Sequence, residues 1–165
     1  MRRADREITD PREVAAVLRR QEVARVAFSD HGQPYVVPLF FVLAEVDREA
    51  VLYFHCADAG RKLEILQEND RVAFEVDGDV CLLSGKDPCD WSATFESVVG
   101  TGRMSVVSDP DERVRGLDLL MHRYGIREKP VYRPEVLACT VVLKLSVMTM
   151  TGKRKQRVVT SSDRM

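Results

Sequence analysis

Three segments rich in β-branched and aromatic residues follow one another with very short turns between them. They read VARVAFSD from Val23, YVVPLFFVLAEV from Tyr35 and VLYFHC from Val51, and only HGQP and DREA separate them. Such side chains favour strands, whereas glycine and proline mark turns. Parallel neighbours would need crossovers of a dozen or more residues. The chain is therefore expected to form antiparallel hairpins and not βαβ units.

Further strands are predicted after residue 70. RVAFEV, the turn DGD and VCLLS form a hairpin. SATFESVVGTGRMSVV is a long strand that Gly100 and Gly102 interrupt, which indicates a bulge or a close backbone approach. The final strand is VLACTVVLKLSVMTMTG. This order predicts a mainly β fold, with six or seven strands in a small barrel and helices on its outside. Residues 1–152 form one domain, and residues 153–165 are a polar tail.

Three helices are predicted around these strands. In TDPREVAAVLRR, Asp10 is the cap, Pro11 lies in the first turn and Glu13 completes a capping box. A helix that follows Asp109 repeats this opening. The segment DAGRKLEILQEND forms a shorter helix that Asp58 caps.

Composition limits the class of protein. The 165 residues are 45% hydrophobic and 31% charged, as expected for a single soluble globular domain. A net charge of −1 provides no general attraction for nucleic acid. The first residues, MRRADREITDPRE, lack the apolar core of a signal peptide, and no segment has the length of a membrane helix. A cytoplasmic protein without nucleic-acid or membrane partners is expected.

Neither a metal site nor a familiar catalytic array is predicted. No two of the four cysteines are separated by two residues, and the three histidines do not cluster with them. In the cytoplasm, the cysteines are expected to be free thiols. No Ser–His–Asp or Cys–His nucleophile pattern is present, so catalytic residues are left unassigned.

The stretch LYFHCADAGRK places two cations where a helix begins. Arg61 and Lys62 follow Gly60 directly, although basic side chains are favoured at helix C-termini. A helix start also offers free N–H groups, so these three residues together would suit a bound anion such as a phosphate. The alternative is a solvated basic pair. The spacing is not that of a nucleotide triphosphate motif.

Four other residues are candidates for ligand contact. Pro38 lies inside a predicted strand, which indicates either a tolerated edge position or a backbone against which a flat heteroaromatic ligand lies. His55 is a ligand contact, a haem ligand or a core residue. Trp91 is a stacking partner, an interface residue or a core anchor. The basic tail either contacts phosphate or is solvated, and Lys153 is the cation of the tail that is best placed for such a contact.

Six stretches of the sequence together resemble a known family. They are RRADREITDP, GQPYVVPLFF, LYFHCADAGRKLEILQEND, RVAFEV, ESVVGTGR and MTGK, and they run in the expected order from Arg3 to about Lys153. The sequence resembles the pyridoxamine 5′-phosphate oxidase-like, FMN-binding split-barrel proteins, and within them the nitroimidazole-reductase-type branch. One departure is Asp70, where the branch often has a proline at the helix exit.

The resemblance implies a six-stranded antiparallel split β-barrel and a homodimer with flavin at the subunit interface. In that scheme Val36, Val37, Pro38 and Leu39 line the isoalloxazine ring. His55, Cys56 and Ala57 border the ring and the ribityl chain, and Arg61 and Lys62 hold the phosphate. The segment from Trp91 to Gly100, which includes Ser97 and Val98, comes from the partner subunit or closes the pocket.

The implied activity is that of an FMN-dependent oxidoreductase. Electrons would pass from a reduced nicotinamide through the flavin to a small acceptor such as a nitroaromatic, a quinone or oxygen. Because the cofactor carries the chemistry, no side-chain acid–base pair is expected. The alternatives are a flavin- or haem-binding protein without turnover, a deazaflavin-dependent reductase and a non-catalytic dimerisation or regulatory domain.

Overall fold

The computed structural model describes residues 3–47 and 49–156. They form seven antiparallel strands in the order β1-β7-β4-β3-β2-β5-β6, and β6 also pairs with β7, which closes the sheet into a barrel. The strands are β1 (Glu7–Ile8), β2 (Val23–Asp30), β3 (Gln33–Val46), β4 (Glu49–Ala57), β5 (Arg71–Leu83), β6 (Ser92–Val106) and β7 (Thr140–Lys155). The helices are α1 (Pro11–Arg20), α2 (Arg61–Glu68), α3 (Pro110–Arg123) and α4 (Pro134–Ala138). The predicted mainly β barrel with peripheral helices is confirmed.

The apolar run of β4 is explained by burial on both of its faces. Leu52 and Phe54 point into the barrel core, and Val51 and Tyr53 lie in a second cluster beneath α3. Because no side of the strand meets solvent there, its sequence does not alternate between apolar and polar residues. Helix α3 is held against β4 by Glu112, whose carboxylate accepts a 2.7 Å hydrogen bond from the Tyr53 hydroxyl.

Several sequence predictions of local structure are wrong. The DGD segment is not a hairpin turn, because β5 continues through it and pairs with β6, with a register shift between Gly78 and Cys81. The final strand begins at Thr140 and not at Val136, since α4 precedes it. That strand extends to Lys155, and residues 157–165 of the predicted tail lie outside the described residues.

The helix caps are only partly as predicted. The Asp10 carboxylate accepts a 2.8 Å hydrogen bond from the Arg12 amide, which confirms the cap of α1. The capping box is wrong, because the Glu13 carboxylate is bonded to Arg154 instead. Asp58 does not cap α2 either, since Gly60 occupies the cap position with a φ of 134°. Such a backbone angle strongly favours glycine.

A buried carboxylate joins α1 to the barrel. Glu96 of β6 is only 2% exposed. It accepts hydrogen bonds of 2.9 and 2.6 Å from Arg20 and of 3.3 Å from Arg154. Burial alone would raise the pKa of Glu96, but the bonds and charges of the two arginines outweigh it and lower that pKa. The cavity of about 510 Å³ beside this network is therefore lined by charges that are largely paired with one another.

Candidate functional site

The barrel is open along one seam, between β3 and β4. These strands pair only from Phe41 with Phe54 to Val46 with Glu49. Residues 33–40 of β3 continue against β2 alone, whereas residues 55–57 of β4 continue against β7. The two strands therefore separate at residues 40 and 55, and the start of α2 follows the free end of β4 after a short turn.

The free edge of β3 presents backbone groups in a defined pattern. The Phe41 amide donates to the Glu22 carbonyl on the β2 side. Since successive residues of a strand direct their backbone groups to opposite sides, residues 33, 35, 37 and 39 also face β2, and residues 34, 36, 38 and 40 face the seam. Two of these four are prolines and donate nothing, so among these four residues of β3 only Val36 and Phe40 have amides that face the seam.

This pattern refines what the sequence predicts for Pro38. The proline does lie on an edge of the sheet, as one of the two predicted alternatives requires. The adjacent amides of Val37 and Leu39 are directed to β2, and the amides available to a ligand lie two residues away. The Val37 and Leu39 side chains pack against the core, whereas Val36 and Pro38 are exposed.

An aromatic pair lines the point where the strands separate. Tyr124, which follows α3, meets the Phe40 ring edge-on at 5.8 Å and the His55 ring at 6.2 Å. Phe40 and Tyr124 are 51% and 45% exposed, which is unusual for large apolar rings in a folded domain. Neither residue was predicted as a site residue, because Phe40 lies in a predicted strand and Tyr124 at the end of the predicted helix that follows Asp109.

His55 is half-buried at the end of β4, and its Nδ1 atom is buried without a hydrogen-bond partner among the described residues. Burial lowers the pKa of this imidazole, which favours the neutral form. Burial also raises the pKa of the neighbouring Cys56 thiol, and the Lys62 ammonium offsets only part of that rise. Ala57, the last residue of β4, is exposed.

The start of α2 carries the predicted cations. The amides of Leu63 and Glu64 bond to the Gly60 carbonyl, whereas the amides of Arg61 and Lys62 have no partner among residues 3–47 and 49–156. The Arg61 guanidinium donates to Asp30 and lies over the Tyr35 ring, 4.6 Å from its centroid. Neither Asp30 nor Tyr35 was singled out by the sequence, because only the tertiary fold brings the β2–β3 turn beside α2.

The remaining predicted residues lie in another part of the barrel. Lys153 of β7 pairs with Ser97 of β6, eleven residues beyond Val142, which pairs with His55. Eleven residues correspond to about 36 Å of strand. Val98 is fully buried in the core, and Trp91 is 58% exposed before β6. The structure thus brings together the β3, β4 and α2 residues and keeps Trp91, Ser97, Val98 and Lys153 apart from them along the strands.

The seam combines the features that a flat anionic ligand needs. An exposed apolar strand face and two ring edges offer a surface for a planar group, and the free edge of β3 offers both donors and acceptors. The α2 start offers two amides and two cations for a phosphate. No group of three histidine, cysteine, aspartate or glutamate residues suited to a metal ion occurs in the described part of the chain. No helix described here is long and apolar enough to cross a membrane.

The solved structures similar to this chain include flavoproteins. A candidate 5-nitroimidazole antibiotic resistance protein from Bacteroides thetaiotaomicron has a TM-score of 0.76 and 29% identity, over 90% of this chain and 86% of that one. A FAD-binding protein from Mesorhizobium loti has a TM-score of 0.66 and 26% identity, over 92% and 98%. A FAD- and haem-binding protein from Mycobacterium smegmatis has a TM-score of 0.80 and 21% identity, over 96% and 77%, and shows the shared fold alone.

No curated protein matches the chain. The family model for pyridoxamine 5′-phosphate oxidase matches residues 10–154, which include every strand from β2 to β6 and nearly all of β7. The seam and the α2 start both lie within the matched range. The chain therefore belongs to the pyridoxamine 5′-phosphate oxidase family.

Proposed function

We propose that the protein is an FMN-dependent oxidoreductase that takes electrons from a reduced nicotinamide and delivers them to a small acceptor. The observation that carries the proposal is the seam, where the half of β3 that is paired on one side only lies beside a helix start with two cations and two amides that have no partner among the described residues. A planar ring with a phosphate on a short chain matches both halves of this site. Flavin, when bound, supplies the hydride and electron chemistry.

The residues of the chain would bind and orient this cofactor. The amides of Val36 and Phe40 and the carbonyls that face the seam are suited to the polar edge of an isoalloxazine ring. Arg61 and Lys62 are suited to the phosphate. Because these two cations are suited to a phosphate, which riboflavin lacks, the site favours FMN over riboflavin. Among acceptors, nitroaromatic compounds are favoured by the similarity to the candidate 5-nitroimidazole antibiotic resistance protein.

A homodimer would complete the site. The exposed face of β3 carries Val36, Pro38 and Phe40, an apolar surface of the kind that protein interfaces cover. The predicted residues Trp91, Ser97 and Lys153 lie away from the seam of their own chain. A second copy would bring them to it, and light scattering of the purified protein should give twice the 18.7 kDa mass of the chain.

The first test is the visible spectrum of the protein as purified, followed by titration with FMN. The proposal predicts a flavin spectrum, or uptake of FMN at micromolar concentration, and oxidation of a reduced nicotinamide when a nitroaromatic or quinone acceptor is added. A colourless protein that takes up no FMN would contradict the proposal. A deazaflavin spectrum would support the proposed binding site and identify deazaflavin, instead of FMN, as the cofactor.

Haem is a second candidate ligand, favoured by one observation. The buried Nδ1 atom of His55 has no partner among the described residues, and burial lowers the pKa of this imidazole, which favours the neutral form that iron ligation requires. Titration with haem would then give a Soret band that His55→Ala removes and His122→Ala leaves in place, since His122 lies exposed on α3. Absence of the band in the unmodified protein would exclude this candidate.

A further inference from the structure

We propose that Asp30 and Tyr35 are positioning residues for Arg61, which hold its guanidinium ready to receive the phosphate of the ligand. The inference rests on the proposed function and adds to it a second layer of residues from the β2–β3 hairpin. Neither residue needs to touch the ligand. Their role is to fix one cation of the α2 start before the ligand arrives.

Two independent contacts hold the guanidinium. Its Nε and Nη2 atoms donate to Oδ2 of Asp30 at 3.1 and 2.9 Å. Its plane also lies over the Tyr35 ring at 4.6 Å, a cation–π distance. A guanidinium has five N–H groups, so three remain for an anion after these two bonds. The Arg61 side chain as a whole is half-exposed, so an anion can approach it from solvent.

Asp30 is itself held in place from its other side. Its Oδ1 atom contacts Nδ1 of His31 at 2.9 Å, and Nε2 of the same imidazole lies 3.2 Å from Glu68 of α2. His31 and Gly32 form the two-residue turn between β2 and β3, with φ values of 50° and 87°. Both positive angles are typical of the tight turn that matches the twist of a hairpin. The hairpin turn is therefore fastened to both ends of α2.

Such fixing has a predictable effect on binding. A long, flexible arginine side chain loses conformational freedom when it grips a ligand, and contacts that already restrict it reduce this loss. Asp30 also places a negative charge near the anion site, and its repulsion of the ligand phosphate would weaken binding. The His31 imidazole contacts the same carboxylate, which raises the pKa of His31 and offsets part of that negative charge, so we expect the positioning effect to be the larger of the two.

The experiment compares FMN with riboflavin, which lacks the phosphate. In Asp30→Ala and in Tyr35→Leu, the affinity for FMN should fall about fivefold or more, while the affinity for riboflavin changes less than about twofold. The conservative variants Asp30→Asn and Tyr35→Phe keep the acceptor oxygen and the ring, and each should bind FMN within about threefold of the unmodified protein. Unchanged riboflavin binding also shows that each variant is folded around the ring site.

Asp58→Ala is the matched charge control, because Asp58 is exposed near the α2 start and makes no ion pair among the described residues. Tighter FMN binding in Asp30→Ala, equal to that in Asp58→Ala, would show a pure charge effect and overturn the inference. Unchanged FMN affinity in both Asp30→Ala and Tyr35→Leu would also overturn it. If Arg61→Ala does not weaken FMN binding at all, the proposed phosphate site fails instead.

Discussion

Replacement of Arg61 and Lys62 together by alanine is expected to weaken FMN binding at least tenfold and to leave riboflavin binding nearly unchanged. Each cation can make charge-assisted hydrogen bonds to a phosphate, which contribute about 1.5–3 kcal/mol each. The minimum loss of affinity is only about tenfold, because Arg61 is half-exposed and already shares its charge with Asp30. The two amides of the α2 start remain in the variant and would retain part of the affinity.

Fluorescence titration with both flavins gives the two dissociation constants for each variant. A suitable control is the pair Arg12→Ala with Arg19→Ala, which removes the same charge from exposed positions of α1. If this control weakens FMN binding as much as the α2 pair does, the effect is one of overall charge. If the α2 pair leaves FMN affinity unchanged, the phosphate does not bind there.

The second large effect concerns stability. Arg20→Met is expected to lower the free energy of unfolding by about 3 kcal/mol at neutral pH, because it leaves the buried Glu96 with the shared Arg154 alone. Methionine keeps most of the side-chain length and removes the charge. Chemical denaturation measures the difference, and Arg19→Met, at an exposed neighbouring position, should lie within about 0.5 kcal/mol of the unmodified protein.

The pH dependence of this effect has a defined sign. In the unmodified protein the pKa of Glu96 is lowered, so its contribution to stability is full above the ordinary glutamate pKa and is lost as the pH falls through the folded value. Without Arg20, burial should dominate and raise the pKa of Glu96. The carboxylate is then protonated in acid, and the cost of burying its charge disappears. The difference between the two proteins should therefore begin to shrink as the pH falls through the raised pKa of the variant, above the ordinary glutamate value, and should shrink further until the lowered pKa of the unmodified protein is passed. A difference that stays constant with pH would contradict this account.

Local sequence patterns predicted the strands and helices well where one pattern dominated. β2 matches its predicted bounds. A register shift lies between Thr101 and Gly102, but its extra residue, Met148, belongs to β7 and not to β6. Gly100 and Gly102 fit the other predicted alternative, a close backbone approach, since a Cβ atom at either would meet a carbonyl oxygen of β7. The pattern failed at DGD, because β5 continues through these residues while it pairs with β6, and the register shift between Gly78 and Cys81 accommodates them. The two-residue β1 is too short to leave any periodic signal.

The candidate site was predictable to the extent that it depends on neighbouring residues in the sequence. Gly60, Arg61 and Lys62 are adjacent, and their position at a helix start can be read directly from the pattern. Asp30, Phe40 and Tyr124 come from three different elements and meet this site only after the barrel forms. No local spacing connects them, so their roles required the tertiary structure.

The unpaired edge of β3 exposes the chain to a general hazard, since free strand edges template the addition of other strands and lead to aggregation. Pro34 and Pro38 face that edge, and between and beyond them only Val36 and Phe40 can donate. An incoming strand needs an uninterrupted ladder of donors and acceptors, which these two prolines deny it. A small planar ligand needs only one or two such bonds. The prolines therefore leave the edge accessible to a small planar ligand while they disfavour the addition of further strands.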